Sequence, residues 1–325
     1  MEEVDAPALK PQGRFADYLA IARFDHSTKH VFILPGMLLA YLLRGVHTAF
    51  LFEHIVLGLA AAICIASANY VINEWLDREF DKFHPTKSDR SAVRRELTRS
   101  FVMLEWIGFV ALGLTFAYLA NRITFALACL FALQGIVYNV APLRLKDKPF
   151  LDVISESVNN PLRLMIGWAM IDPATLPPGS IILCYWAGGA FLMAAKRLSE
   201  YRQIVASHGK ALLARYRASF AGYTDVSLTV SCLLYAMLSN FFLAIFLLKY
   251  RIEYLLMMPV VMTLFGHYLS ISMHPDSSAQ RPEKLFRERG LMAIVAALIC
   301  IFALATFVDM PFLAALTQQQ FISLP

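Results

Sequence analysis

The sequence predicts an all-α integral membrane bundle of about nine transmembrane helices. Three observations carry this. Of 325 residues, 58% are hydrophobic and 16% charged, whereas a soluble domain carries about 25% charged residues. Mean hydropathy is +0.56. Apolar runs recur along the chain between short polar segments, and each is long enough for a membrane helix of about 20 residues. Runs such as Leu57 to Ala68 do not alternate, which argues against barrel strands.

The elements follow in order. Residues 1–30 form a polar arm of mixed charge, which reads as a cytoplasmic N-terminal arm and not as a cleavable leader. Residues 31–312 hold the predicted transmembrane catalytic domain, with spans at 31–46, 52–73, 101–120, 123–140, 153–171, 180–195, 227–248, 253–272 and 291–312. Residues 313–325, including Gln318 to Gln320, form a C-terminal tail with no assigned role. The loops 74–100, 141–152, 196–226 and 273–290, with the N-terminal arm, carry nearly all the basic residues; only Arg44, Arg122, Arg163, Lys249 and Arg251 lie elsewhere. The positive-inside rule therefore places the N-terminus and these loops on the cytoplasmic side of a multi-pass membrane protein.

Composition also excludes classes. Glycine and proline, 15 of each, are too few for a collagen-like chain, and the apolar content is too high for a disordered one. The net charge of +5 reflects basic cytoplasmic loops and not a nucleic-acid surface. Cys64, Cys129, Cys184, Cys232 and Cys300 lie in apolar stretches without C-x-x-C spacing, so they read as buried free thiols. Oligomeric state stays open, because small-residue pairs such as Gly188-Gly189 serve contacts within or between chains.

The second span ends in Asn73-Glu74-x-x-Asp77-x-x-x-Asp81-x-x-His84-Pro85-x-Lys87. On a continuing helix Asn73, Asp77 and Asp81 share one face at four-residue spacing, with His84 close to it. Like charges at that spacing repel, and a shared divalent cation removes the repulsion. Oxygen ligands favour Mg²⁺, which commonly bridges carboxylates to a substrate phosphate. An ordinary ion-paired helix end, using Arg78, Lys82 and Lys87, explains the charges but not Asn73 at the edge of an apolar run.

Further polar groups follow. Pro142 and Pro149 bracket a loop carrying Arg144, Lys146 and Lys148, and Asp152 opens the next helix as a cap would. Ser155, Glu156, Asn159, Asn160 and Arg163 continue as a polar seam inside a nominal span, the mark of a lined cavity. At the end of the sixth span stands Lys196-Arg197-x-x-Glu200, where a helix ion pair is the plain alternative. Phosphate-loop, zinc-protease, serine-elbow and dinucleotide motifs are missing.

The Asn73 to Lys87 run resembles the first aspartate motif of the UbiA-type intramembrane prenyltransferase superfamily. Within that superfamily the sequence resembles the bacterial decaprenyl-phosphate phosphoribosyltransferases. The likeness continues through Tyr138, Lys146, Asp152, Arg163, Lys196-Arg197-x-x-Glu200, Tyr223-Thr224 and Pro282-Glu283-x-Leu285. Glu74 stands where the family has aspartate, Ser91 where it has proline, and Lys29-His30 where it has Lys-Asn. Members using prenyl diphosphates carry a second D-x-x-x-D motif where this chain has Lys196-Arg197-x-x-Glu200.

The resemblance implies a UbiA-like fold and Mg²⁺-dependent transfer of phosphoribosyl from phosphoribosyl pyrophosphate to a polyprenyl phosphate, for a lipid-linked cell-wall glycan precursor. It implies Glu74, Asp77 and Asp81 as metal ligands, and Asp77, Asp81, Lys87, Lys146, Asp152 and Arg163 as catalytic residues. Asn73, His84, Tyr138, Lys196, Arg197 and Glu200 are the implied substrate contacts. The lipid bilayer would shelter the polyprenyl tail. The alternatives are transfer of a prenyl group from a prenyl diphosphate to an aromatic or other acceptor, a transporter, and a non-catalytic scaffold.

Overall fold

The structure, a computed structural model, describes residues 10–85, 87–274, 285 and 287–314. Pro282, Glu283, most of loop 273–290, the first nine residues of the arm and residues 315–325 of the tail lie outside the described residues. The helices are α1 Phe15–Ile21, α2 Leu34–Arg44, α3 Leu51–Asp81, α4 Ser91–Arg94, α5 Arg99–Ala120, α6 Arg122–Asn139, α7 Leu151–Ser157 and α8 Asn159–Ile171. They continue as α9 Gly179–His208, α10 Lys210–Tyr216, α11 Asp225–Tyr250, α12 Met258–Met273, α13 Arg289–Phe307 and α14 Pro311–Ala314. The chain divides into two compact units. The first is Met1–Pro177 with Ile204–Tyr223, and the second is Pro178–Gln203 with Thr224–Pro325.

In the first unit α3 is the axis. Ala61, Ala62, Ala66 and Ala68 are fully or almost fully buried along it, and such small side chains let helices approach closely where lipid supplies no hydrophobic drive. Ile65, Leu127, Phe131, Leu162 and Met170 complete the core against α6 and α8. The backbones of α2 and α8 approach closely. A Cβ on Gly36 would lie 1.9 Å from the Leu164 carbonyl oxygen, and one on Gly167 would lie 2.1 Å from that of Ile33. The far end of this pair is closed by Arg44 donating to Asp172 at 3.2 Å and by the His47 amide donating to the Ile171 carbonyl at 3.1 Å.

In the second unit α9, α11, α12 and α13 pack through apolar faces. Phe191 meets Phe265 edge to face at 4.7 Å. Arg251 binds the Ala305 carbonyl at 2.5 Å and Asp309 at 2.8 Å, and Arg202 grips Asp225 through two bonds of 2.5 and 2.9 Å. Large apolar side chains such as Leu234, Phe241, Ile299 and Phe307 face outward, as a surface in contact with lipid requires. Cys300 is also exposed, contrary to the expectation of five buried thiols, while all five cysteines are free.

The expectation of nine spans is corrected. Seven helices among the described residues are long and apolar enough to cross a membrane: Leu51–Asp81, Arg99–Ala120, Arg122–Asn139, Gly179–His208, Asp225–Tyr250, Ile252–Met273 and Arg289–Phe307. The stretch expected to span at 153–171 is broken between α7 and α8 at Val158. Pro161 explains the break, since its ring clashes with the carbonyl of Ser157 four residues back and it lacks the N–H that would bond there. The stretch expected at 31–46 begins as tight 3₁₀ turns over Phe24–Ile33, and its α-helical part has 11 residues, about 16 Å at 1.5 Å per residue. A hydrocarbon core is about 30 Å thick, so periodicity alone overstated both.

Gly36→Val should therefore force α2 from α8 and lower stability by at least about 2 kcal/mol. Gly108→Ala, which meets nothing within 4 Å, should be neutral or stabilising by up to about 1 kcal/mol. Thermal unfolding of the purified protein in one detergent checks both.

Candidate active site

The long α3 carries Glu74, Asp77, Glu79 and Asp81 on its last two turns. Asn73, Asp77 and Asp81 follow one face, while Glu74, one residue on, points about 100° away. Glu74 and Asp81 are buried and Asp77 is half-buried, so each carboxylate has lost water and needs a partner.

The partners come from distant segments. Arg23, before α2, donates to Glu74 at 2.8 Å. Arg90, after α3, bridges Glu74 and Asp81 through one Nη1 at 2.8 Å from each. From the loop before α7, Lys146 reaches Asp77 at 2.6 Å and Arg144 reaches the same oxygen at 2.9 Å. Arg23 and Arg144 both hold left-handed backbone, with φ of 53° and 32°, a conformation that costs a non-glycine residue about 1 kcal/mol or more. Their ion pairs hold the chain there.

Asn139, at the end of α6, joins the cluster from below. Its Oδ1 accepts from Asn73 Nδ2 at 2.5 Å and from Lys146 Nζ at 2.9 Å, while its Nδ2 donates to the Gly135 carbonyl at 2.9 Å. The amide that sequence left without a partner is thus bound to a second amide. Burial lowers the Lys146 ammonium from an ordinary 10.5 to about 8, against the opposing pull of Asp77.

A second network flanks the first. Asp152 is fully buried and accepts from Tyr223 at 2.5 Å and Ser219 at 3.2 Å, with Arg217 at 3.6 Å. Arg217 also donates to Tyr138 at 2.7 Å, and Tyr138 donates to Glu156 at 2.7 Å. Asp152 is therefore far more than a helix cap: it pins segment 217–223 against α7. His84 accepts from the Lys87 amide at 3.2 Å and packs against the Tyr216 ring at 4.7 Å, with Lys87 Nζ 5.4 Å above the same ring.

The structure brings Asn73, Asp77 and Lys146 into one cluster, Glu74 and Asp81 into an adjoining one, and Tyr138 and Asp152 into a third. Arg163 meets the Asn159 carbonyl and the Phe131 ring, not the α3 carboxylates. In the second unit Arg197 and Glu200 are buried together as an ion pair of 3.3 Å one turn apart on α9, with Lys196 beside them half-buried. Sequence reading missed Arg23, Asn139, Arg217, Ser219 and the role of Tyr223. The signal available for Asn139 was an amide at the end of an apolar run, the same signal that marked Asn73.

Whether this cluster suits a divalent ion rests on its donors. Asn73, Asp77 and Asp81 supply only oxygen donors along one helix face, the set Mg²⁺ prefers. No three acidic, imidazole or thiol groups converge on a point among the described residues, because Arg90, Arg144 and Lys146 hold the carboxylates. The donor chemistry fits Mg²⁺, with entry by exchange against these cations. Glu74 is the exception, being off that face and shared by two arginines.

Residues 31–295 match the UbiA prenyltransferase family. The chain belongs to that family. A protoheme IX farnesyltransferase of Alkalihalophilus pseudofirmus is 25% identical over 198 residues, 59% of this chain and 62% of the relative. One of Geobacillus kaustophilus is 26% identical over 171 residues, 51% of this chain and 55% of the relative. The chain thus spans less than two thirds of the length of these bacterial relatives. Among solved structures, a UbiA homologue from Archaeoglobus fulgidus bound to DMAPP and Mg²⁺ superposes with a TM-score of 0.66 at 23% identity, covering 90% of this chain and 100% of that one. A digeranylgeranylglyceryl phosphate synthase superposes with a TM-score of 0.60 at 14% identity, covering 89% and 97%.

These findings correct the expected function and partners. The relatives of this UbiA-family chain are farnesyltransferases, and the fold is shared with a homologue holding a prenyl diphosphate. Phosphoribosyl pyrophosphate and a polyprenyl phosphate are withdrawn as its substrates. The sequence signal for them was Lys196-Arg197-x-x-Glu200 in place of a second aspartate motif. In the structure two of those residues form an i,i+3 helix ion pair, which carries no information about a donor.

Lys146 supplies a pH test of the cluster. Its folded value of about 8 lies below the ordinary 10.5, so between these limits the folded state releases a proton that the unfolded state keeps, and stability gains as pH rises. Lys146→Arg cannot deprotonate in that range. The melting temperature of wild type relative to Lys146→Arg should rise from pH 8 to pH 10, measured by thermal unfolding across the series; a flat difference would refute the buried, charged Lys146.

Proposed function

We propose that this chain is a Mg²⁺-dependent intramembrane prenyltransferase that moves a prenyl group from a prenyl diphosphate to an acceptor resident in the membrane. The observation that carries the reading is the end of α3, where Asp77 and Asp81 are held by cations recruited from two separate segments. A cluster rich in both carboxylates and cations suits a diphosphate that must bind and then leave. The family match and the prenyl diphosphate in the A. fulgidus homologue support this donor.

The reaction is a substitution at the first carbon of the prenyl group. The bond from that carbon to the diphosphate oxygen breaks, the acceptor's electron pair forms the new bond, and the acceptor's proton passes to solvent or a nearby carboxylate. Asp77 and Asp81, with the Asn73 amide, would hold Mg²⁺, which when bound neutralises the diphosphate's negative charge. Arg144, Lys146 and Arg217 add preorganised positive charge at the leaving oxygens in a site of low dielectric. Tyr138 and Asp152 orient Arg217, and Asn139 fixes Asn73 against Lys146.

Glu74 acts as an anchor for Arg23 and Arg90 and not as a ligand. Lys87 and His84 stand as contacts to the donor phosphates within this proposal. The N-terminus and the acidic end of α3 face the cytoplasm, following the positive charge of the loops.

Purified protein in lipid nanodiscs with labelled farnesyl diphosphate, Mg²⁺ and a host membrane extract should yield a labelled lipid-soluble product. Formation should stop with EDTA, and Asp77→Asn should slow it by at least about 100-fold. A product indifferent to Mg²⁺ and to Asp77→Asn would sink the reading. Glu74→Gln should lower the melting temperature, as two arginines lose their shared carboxylate, while Mg²⁺ titrates activity with its half-maximal concentration changed less than twofold.

A further inference from the structure

The faces of α9, α11 and α12 leave a groove in the second unit. It holds a cavity of about 480 Å³, a size that takes a drug-sized molecule, and all its lining residues belong to that unit. Ala236 and Ala244 on α11 and Gly266 on α12 keep the walls low, the fully buried Phe191 of α9 closes the inner side, and Met237 and Met262 stand exposed at the rim. None of the lining residues carries a charge. A Cβ on Gly266 would have nothing within 4 Å, so this glycine opens onto the groove and is not a helix contact.

One lining side chain is polar. Asn240 is 8% exposed; its Nδ2 donates back to the Ala236 carbonyl one turn earlier at 2.8 Å, and its Oδ1 has no partner. The neighbouring Ser239 is satisfied, since its hydroxyl donates to the Cys184 carbonyl at 3.1 Å. An amide oxygen buried among apolar side chains without a donor is costly, and within a membrane span it marks a site for something that brings one.

Depth narrows the choice of donor. Helix α11 runs from Asp225 to Tyr250, and Asn240 lies about 22 Å along it from the first and about 15 Å from the second. With the apolar stretch Val226 to Leu248 in a hydrocarbon core about 30 Å thick, Asn240 is within about 5 Å of the middle. Water and phospholipid headgroups stay outside that core, and the acyl tails that fill it have no donor. Volume narrows the choice further. One turn of a helix 10–12 Å across takes up about 400–600 Å³, yet the α11 wall of the groove runs about three turns, from Leu233 to Ala244. A second copy's helix is too thick to fill it, and a single extended chain is not.

We propose that this groove binds an uncharged, single-chain membrane alcohol, whose hydroxyl donates to Asn240 Oδ1 while its chain lies along Ala236, Ala244 and Gly266. The site stands on the second unit alone and holds whether or not the α3 cluster transfers a prenyl group.

The probes are 1-dodecanol and dodecyl methyl ether, which share an apolar chain while only the alcohol donates. In thermal unfolding of the full chain in phosphatidylcholine nanodiscs, 1-dodecanol should stabilise wild type at a concentration at least about tenfold below that of the ether, the effect of one buried acceptor left unmet. Gly266→Leu places a side chain in the groove without a clash at its Cβ, so it should fold at least as well as wild type and lose the preference for the alcohol. Asn240→Leu should bring the two probes level, and if it does not fold, wild type against Gly266→Leu decides. Equal stabilisation of wild type by alcohol and ether overturns the proposal, as does an alcohol preference that survives either substitution. Self-association of wild type that Gly266→Leu removes would also overturn it, by giving the groove to a second copy.

Discussion

The structure depends on the neutralisation of carboxylates at the end of one long membrane helix. Glu74 and Asp81 are buried and Asp77 half-buried, in surroundings where an unpaired charge costs several kcal/mol. No residue within one turn of α3 supplies the compensation seen here. It comes from Arg23 before α2, Arg90 after α3, and Arg144 and Lys146 before α7. Three separate loops are therefore tied to the same helix end, and they are ordered by what they neutralise. The left-handed backbone of Arg23 and Arg144 is a local cost offset by those contacts.

This arrangement links packing to chemistry. The alanines of α3 let α5, α6 and α8 pack closely, so the helix end is held on a rigid support. Asn139 then couples the end of α6 to both Asn73 and Lys146, and Asp152 couples α7 to segment 217–223. A ligand that replaces a cation at Asp77 or Asp81 acts on several loops at once. Preorganised charge of this kind stabilises a leaving anion without reorganisation during the reaction.

The two short helices α2 and α8 have a different logic. Glycines at 36 and 167 allow backbone contact between them, and Pro161 breaks the chain before α8 can extend. The break places Asn159 at the start of α8 and Arg163 one turn later, so polar groups enter the bundle without a continuous polar face crossing it. A straight helix over residues 153–171 would have spread the same side chains along its length.

The sequence by itself determined the class, the membrane character, the long helices and the location of the acidic motif. Hydropathy and helical spacing are properties of neighbouring residues, so they can be read along the chain. It also marked Asn73, because an amide at the border of an apolar run needs a partner wherever the chain goes. The number of full spans was not legible, since the length of α2 and the break at Val158 depend on how Pro35, Pro161 and the packing glycines are used. The partners of Asp77, Asp81 and Asp152 were decided only in three dimensions: Lys146 and Tyr223 lie 69 and 71 residues away from the groups they satisfy. Charge pairing acts through space and carries no period, so the sequence displays the ions while the tertiary structure chooses the pairs.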